Sequence, residues 1–153
     1  MYSILLLLHG FFRWLVLASL LYSIFLAING LKKRRPFTAA ANSWRHWTAT
    51  IAHLQLLLGM ALYFQSPAVR YALPADHRHL VNEHVFFRYI HITLMLVAVI
   101  VITIGSAKAK RAPDHRTKYR TMLVWFVAGL LILLIAIPWP FSPLAGRPLI
   151  RHF

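Results

Sequence analysis

Three histidines, His9, His53 and His91, each interrupt a long apolar run, and Arg13 follows His9 by four residues. An imidazole can ligate a metal, carry a proton or make a hydrogen bond. At membrane depth ionisable side chains are rare and face a bundle interior, a cavity or a cofactor. Residues four apart share one face of a helix, so His9 and Arg13 project together. His84, Arg88, His91 and Met95 follow steps of four, three and four, which on an α-helix makes one stripe. His46, Thr50, His53, Leu57 and Met60 make a second stripe.

Arg13 sharpens the question, because a cation inside a span is costly unless it is paired. The chain has three acids, Asp76, Glu83 and Asp114, none inside an apolar run. Only Glu83 is placed to reach a neighbouring helix. Three partners are open to Arg13: the carboxylates of a bound group such as haem propionates, a lipid phosphate reached by snorkelling, and Glu83.

Four apolar runs position these groups, at about 4–28, 45–64, 85–105 and 120–138. Each matches the roughly 20 helical residues that cross a bilayer. The 153 residues are 59% hydrophobic and 13% charged, against about half and a quarter in soluble domains. The expected fold is an all-α integral membrane protein, one transmembrane domain over 1–153. The first run lacks a basic leader and exceeds the 7–15 residues of a signal h-region, so it reads as a retained span.

The net charge of +14 is concentrated. Lys32, Lys33, Arg34, Arg35 and Arg45, with Lys108, Lys110, Arg111, Arg116, Lys118 and Arg120, place 11 of 17 basic residues at the two connections on one side. The positive-inside rule makes that side cytoplasmic and puts both termini on the other. The partner this charge implies is anionic lipid headgroups rather than nucleic acid. There are no cysteines, which excludes disulfides, iron–sulfur clusters, thiolate metal sites and covalently attached haem.

Short connections favour an up-down-up-down four-helix bundle, with the first and third helices on one diagonal. His91 then lies ~8 Å inside the outer edge of its span and His9 at a similar depth. His53 enters from the other side, roughly 13 Å below them in a ~30 Å core. His9 and His91 therefore meet the requirement for the two axial ligands of one haem, bound non-covalently. Arg88, nearer the surface, and Arg13 would balance its propionates. His53 would be an alternate ligand, a proton-handling group near a quinone, or a contact across a dimer. His46, His84 and the tryptophans suit the interfaces, Met60 and Met95 suit packing, and His77, His79, His115 and His152 fall in loops or the tail. Asn29-Gly30 reads as a helix stop and Asn42-Ser43 as the next helix start.

Four segments carry a resemblance: Leu8-His9-Gly10-Phe11-Phe12-Arg13-Trp14-Leu15, Arg45-His46-Trp47-Thr48-Ala49-Thr50-Ile51-Ala52-His53, Ile104-Gly105-Ser106-Ala107-Lys108, and Pro138-Trp139-Pro140-Phe141-Ser142-Pro143. They resemble small four-span bacterial membrane proteins labelled cytochrome b-like, over most of the chain. The resemblance implies b-type haem, respiratory electron transfer and the bacterial inner membrane, with His9, His53 and His91 as candidate ligands. The larger respiratory cytochromes b space paired histidines about four helical turns apart; the spacing of seven here argues against two stacked haems.

The expected function is one-electron transfer, linked to a quinol, whether as a carrier or as an oxidoreductase subunit. Two alternatives stand beside it. One is an accessory or assembly subunit, its histidines buried against a second copy or a respiratory-complex partner. The other is copper handling, for which His91 and Met95 at helical spacing are suited.

Overall fold

The computed structural model describes residues 1–71 and 81–147; Asp76, His77, Arg78, His79, Arg151 and His152 lie outside the described residues. Among the described residues four helices are long and apolar enough to cross a membrane: α1 (Tyr2–Lys32), α2 (Ala39–Gln65), α3 (Glu83–Arg111) and α4 (His115–Ala136). A single turn, Pro67–Arg70, follows α2. α2 and α3 outrun their apolar stretches where good helix formers flank them: Ala39, Ala40 and Ala41 open α2, and Ala107, Lys108, Ala109, Lys110 and Arg111 close α3. Lys108, Lys110 and Arg111 occupy the last turn of α3, where the helix dipole favours cations.

The helix ends differ from the expected ones for local reasons. α2 starts at Thr38, whose side chain accepts a hydrogen bond from the Ala41 N–H at 3.1 Å. Asn42 is therefore already inside the helix, and its Oδ1 accepts from Arg45 Nε at 3.1 Å. α1 runs through Asn29-Gly30 and turns only beyond Lys33, with Arg34 in the left-handed region at φ 48°. Gly30 serves close approach instead, since a β-carbon there would collide with the ring of Tyr119. α4 is capped by Asp114.

Each helix packs on the next in a closed ring, α1 on α2, α2 on α3, α3 on α4 and α4 on α1. α1 and α3 therefore face each other across a diagonal. Neighbours run antiparallel: Ser23 meets Thr48 while His9 meets Gln55, and Arg45 meets Ser106 while Tyr63 meets Arg88. α3 and α4 approach closely where Gly105 faces Trp125 and Gly129 faces Ile102, the small-residue packing expected between helices that gain nothing from expelling water. The core between them is filled by Leu20, Ile102, Met122 and Phe126.

The two basic connections share one end of the bundle. There the Phe37 N–H donates to His115 Nδ1 at 3.1 Å, and the Tyr119 hydroxyl donates to the Pro36 carbonyl at 3.2 Å. Arg45 is not among the surface cations of that end. It is 4% exposed, its Nη1 donating to the Ser106 carbonyl at 2.9 Å and to the Ser106 hydroxyl. Ser23, Thr48 and the Ser19 carbonyl continue this buried polar layer between α1 and α2.

Candidate functional site

At the opposite end the helices diverge around a cavity of about 650 Å³. That size is within the range of small-molecule and cofactor sites. Its walls are mainly apolar. His9 and Arg13 line it from α1, Gln55 and Gly59 from α2, and His91 and Met95 from α3. Ile137 and Pro138 close it beyond α4, and Arg147 reaches it from the tail. Leu7, Phe11 and Trp14 also line it while remaining exposed on the outside of α1, so the cavity reaches the lipid-facing surface.

His91 owes its position to an irregular backbone. Phe86–His91 forms a π-helical segment, whose hydrogen bonds span five residues where an α-helix spans four; such segments recur at functional sites. The wider turn sets the rings of Phe86 and Phe87 each 5.8 Å from the His91 ring. The His91 Nδ1–H donates to the Ala136 carbonyl at 2.8 Å. A carbonyl only accepts, so Nδ1 carries the proton and Nε2 keeps its lone pair.

His9 lies on the diagonal helix. The Gln55 amide N–H₂ donates to the His9 carbonyl at 3.0 Å, and its Nε2 lies 3.4 Å from His9 Nε2. The second contact is at the long edge of hydrogen bonding. Gly59 leaves room for the ring: a β-carbon there would stand 3.1 Å from His9 Cε1. His9 Nδ1 and Gln55 Oε1 are buried without hydrogen-bond partners. Orphaned polar atoms in a native interior are few and mark water or a ligand.

The structure brings His9, His91 and Arg13 to one cavity, with Met60 and Met95 in its wall. It places Arg88 and His53 elsewhere. The π segment breaks the α-helical stripe, so that Phe87 rather than Arg88 joins His91 at the cavity. The Arg88 guanidinium instead lies 3.5 Å from His84 Nε2 and 5.6 Å from the Tyr89 ring centre. His53 is on the exposed face of α2. Its Nε2 bonds Thr103 Oγ1 at 2.9 Å; that hydroxyl gives its single proton to the Val99 carbonyl, so His53 is the donor. Glu83 is bonded to Arg147 at 2.6 Å.

Gln55, Phe87 and Arg147 belong to the site without having been singled out. Gln55 gave a signal, as an uncharged polar residue inside an apolar run; the others have no local signature. Among the described residues no three His, Asp or Glu side chains cluster as a metal site. No family profile, curated protein or solved structure matches the chain.

Proposed function

We propose that this multi-pass protein is an electron carrier of the bacterial inner membrane that holds one b-type haem in the cavity between α1 and α3. The observation that carries the reading is the pair His9 and His91, presented from diagonal helices to one apolar cavity. His91 is oriented for ligation: the Ala136 carbonyl fixes its ring and tautomer and leaves Nε2 available, the usual outer support of a ligating histidine. His9 would ligate through a ring nitrogen: Nδ1 has no hydrogen-bond partner, and Nε2 makes only the long contact to Gln55. Arg13 and Arg147 add positive charge where a carboxylated ligand needs it. Haem bound there would supply a one-electron couple whose potential follows from its axial ligands and the dryness of the site. The lipid-exposed rim of Leu7, Phe11 and Trp14 suits a membrane-borne quinol as electron source.

The test is an absorbance spectrum of the full chain purified in detergent. A Soret band that moves on dithionite reduction is expected, with the six-coordinate low-spin form lost in His9→Ala and in His91→Ala and kept in His46→Ala. A colourless protein that also fails to bind added haemin overturns the reading.

A second reading draws support from His46 and His53, both exposed along α2. Ionisable groups in spans rarely face lipid, so this face would dock on a partner subunit, a second copy or a respiratory complex. The chain has no cysteine, so a His53→Cys variant reports on a second copy directly through a disulfide-linked dimer in membranes. A variant that stays monomeric under oxidant while native mass is also monomeric removes this reading.

A further inference from the structure

The tail after α4 turns back over the cavity. The Ser142 N–H donates to the Trp139 carbonyl at 3.0 Å, the Arg147 N–H donates to the Pro138 carbonyl at 3.2 Å, and Ala145 is fully buried. This fold brings the Arg147 guanidinium into the cavity wall. Its Nη2 donates to Glu83 Oε2 at 2.6 Å, and its Cζ lies 5.3 Å from the centre of the Phe87 ring. Its Nε is buried and has no hydrogen-bond partner.

Nε–H and Nη2–H of an arginine point the same way and match the two oxygens of one carboxylate. Glu83 fills only one prong of that fork. The Phe87 ring lies beside both the Arg147 guanidinium and the His91 ring, and Arg147 and His91 line the same cavity. We propose that Arg147 is the residue that receives a carboxylate of the cavity's ligand, with Glu83 as an internal carboxylate that holds the place beforehand. Glu83 can yield, because it sits in the first turn of α3, where the helix dipole still favours its charge. The inference rests on the haem reading, since haem brings two carboxylates. It assigns that role to the tail and not to Arg88, which turns away from the cavity.

Titration of the purified full chain with haemin and with haemin dimethyl ester, which lacks the carboxylates, tests it. The wild-type chain is expected to bind haemin about tenfold or more tighter than the ester, the worth of one charge-assisted contact. Arg147→Gln should bring the two affinities together, and the double variant Arg147→Gln/Glu83→Gln, which leaves no bare carboxylate in the wall, should do the same, with circular dichroism reporting an intact fold. Glu83→Gln, which weakens the competitor and keeps Arg147, should widen the preference. Equal binding of both porphyrins by the wild-type chain overturns the inference and leaves the haem reading standing. A preference that survives Arg147→Gln overturns it in favour of another cation. Binding of neither porphyrin overturns the haem reading and this inference with it.

Discussion

The His91 Nδ1–H donates to the main-chain carbonyl of Ala136 at 2.8 Å, across the seam between α3 and α4. Ala136 is the last residue of α4, and carbonyls in the last turn of a helix have no partner within it. His91 therefore serves the fold with one nitrogen and is free for chemistry with the other. Two substitutions separate these roles. His91→Leu leaves the carbonyl without its donor and should cost about 1–3 kcal/mol as well as the low-spin haem spectrum. His91→Gln can still donate, so it should keep most of the thermal stability while losing the same spectrum. Equal melting temperatures for the two variants would mean that the bond to Ala136 adds nothing.

Gly59 and Gly10 make a matched pair of probes. A β-carbon at Gly59 would stand 3.1 Å from His9 Cε1, whereas one at Gly10 meets nothing within 4 Å. Gly10→Ala should stabilise α1 by up to about 1 kcal/mol through helix propensity. Gly59→Ala should push the His9 ring by a few tenths of an ångström, shifting the haem midpoint potential with little loss of stability. Gly59→Val should prevent haem retention. Redox titration of the three variants checks this, and a Gly59→Val protein with a wild-type potential would place His9 outside the ligand set.

Gly105 reports on the packing of α3 against α4. A β-carbon there would collide with the β-carbon of Trp125, an atom fixed to the backbone. Gly105→Ala should therefore separate the helices and destabilise by about 1–3 kcal/mol, the usual cost of overpacking. Gly129→Ala meets Ile102 Cγ1 at 2.6 Å, and part of that side chain can rotate, so its cost should be smaller. Thermal unfolding in detergent ranks the two, and a Gly129 variant less stable than the Gly105 variant would reverse the account.

The four spans were legible because length and apolarity alone specify a bilayer crossing, and short connections then set the ring order. Helix ends were less legible. Gly30 looks like a stop because a glycine that ends a helix and one that admits Tyr119 are identical in sequence. The π segment has no compositional mark, so the α-helical period joined Arg88 to His91 and passed over Phe87. Arg45 and Arg147 failed for another reason. Their partners, Ser106 and Glu83, are 61 and 64 positions away, and only the folded chain shows a terminal cation turning inward.

Arg45 is buried beside the neutral acceptors Asn42 and Ser106. Arg45→Ala should cost about 1.5–3 kcal/mol, the range for hydrogen bonds to charged groups. Arg45→Lys should recover only part, since an ammonium cannot reproduce the planar fork. Ser106→Ala should be milder than Arg45→Ala, because its main-chain carbonyl still accepts. Chemical denaturation of the three variants tests this order, and a neutral Arg45→Ala would show that the guanidinium contributes nothing net.

Asp114 gives the fold a pH dependence outside the spans. Its Oδ2 accepts from the Thr117 hydroxyl at 2.6 Å and its Oδ1 from the Thr117 N–H at 2.9 Å. These bonds, the hydroxyl foremost, hold its pKa below the ordinary 3.8. Because the folded value is the lower one, the stability it contributes is complete above the unfolded pKa and is lost as pH falls through the folded one. Its charge also offsets Arg116, Lys118 and Arg120, which crowd the N-terminal turns of α4 against the helix dipole. Asp114→Asn keeps a capping acceptor but removes the titration. The melting temperature of the wild-type chain should therefore exceed that of the variant by a constant amount near neutral pH, and the gap should close below the carboxylate range. A gap that persists in acid would mean that the cap acts through shape rather than charge.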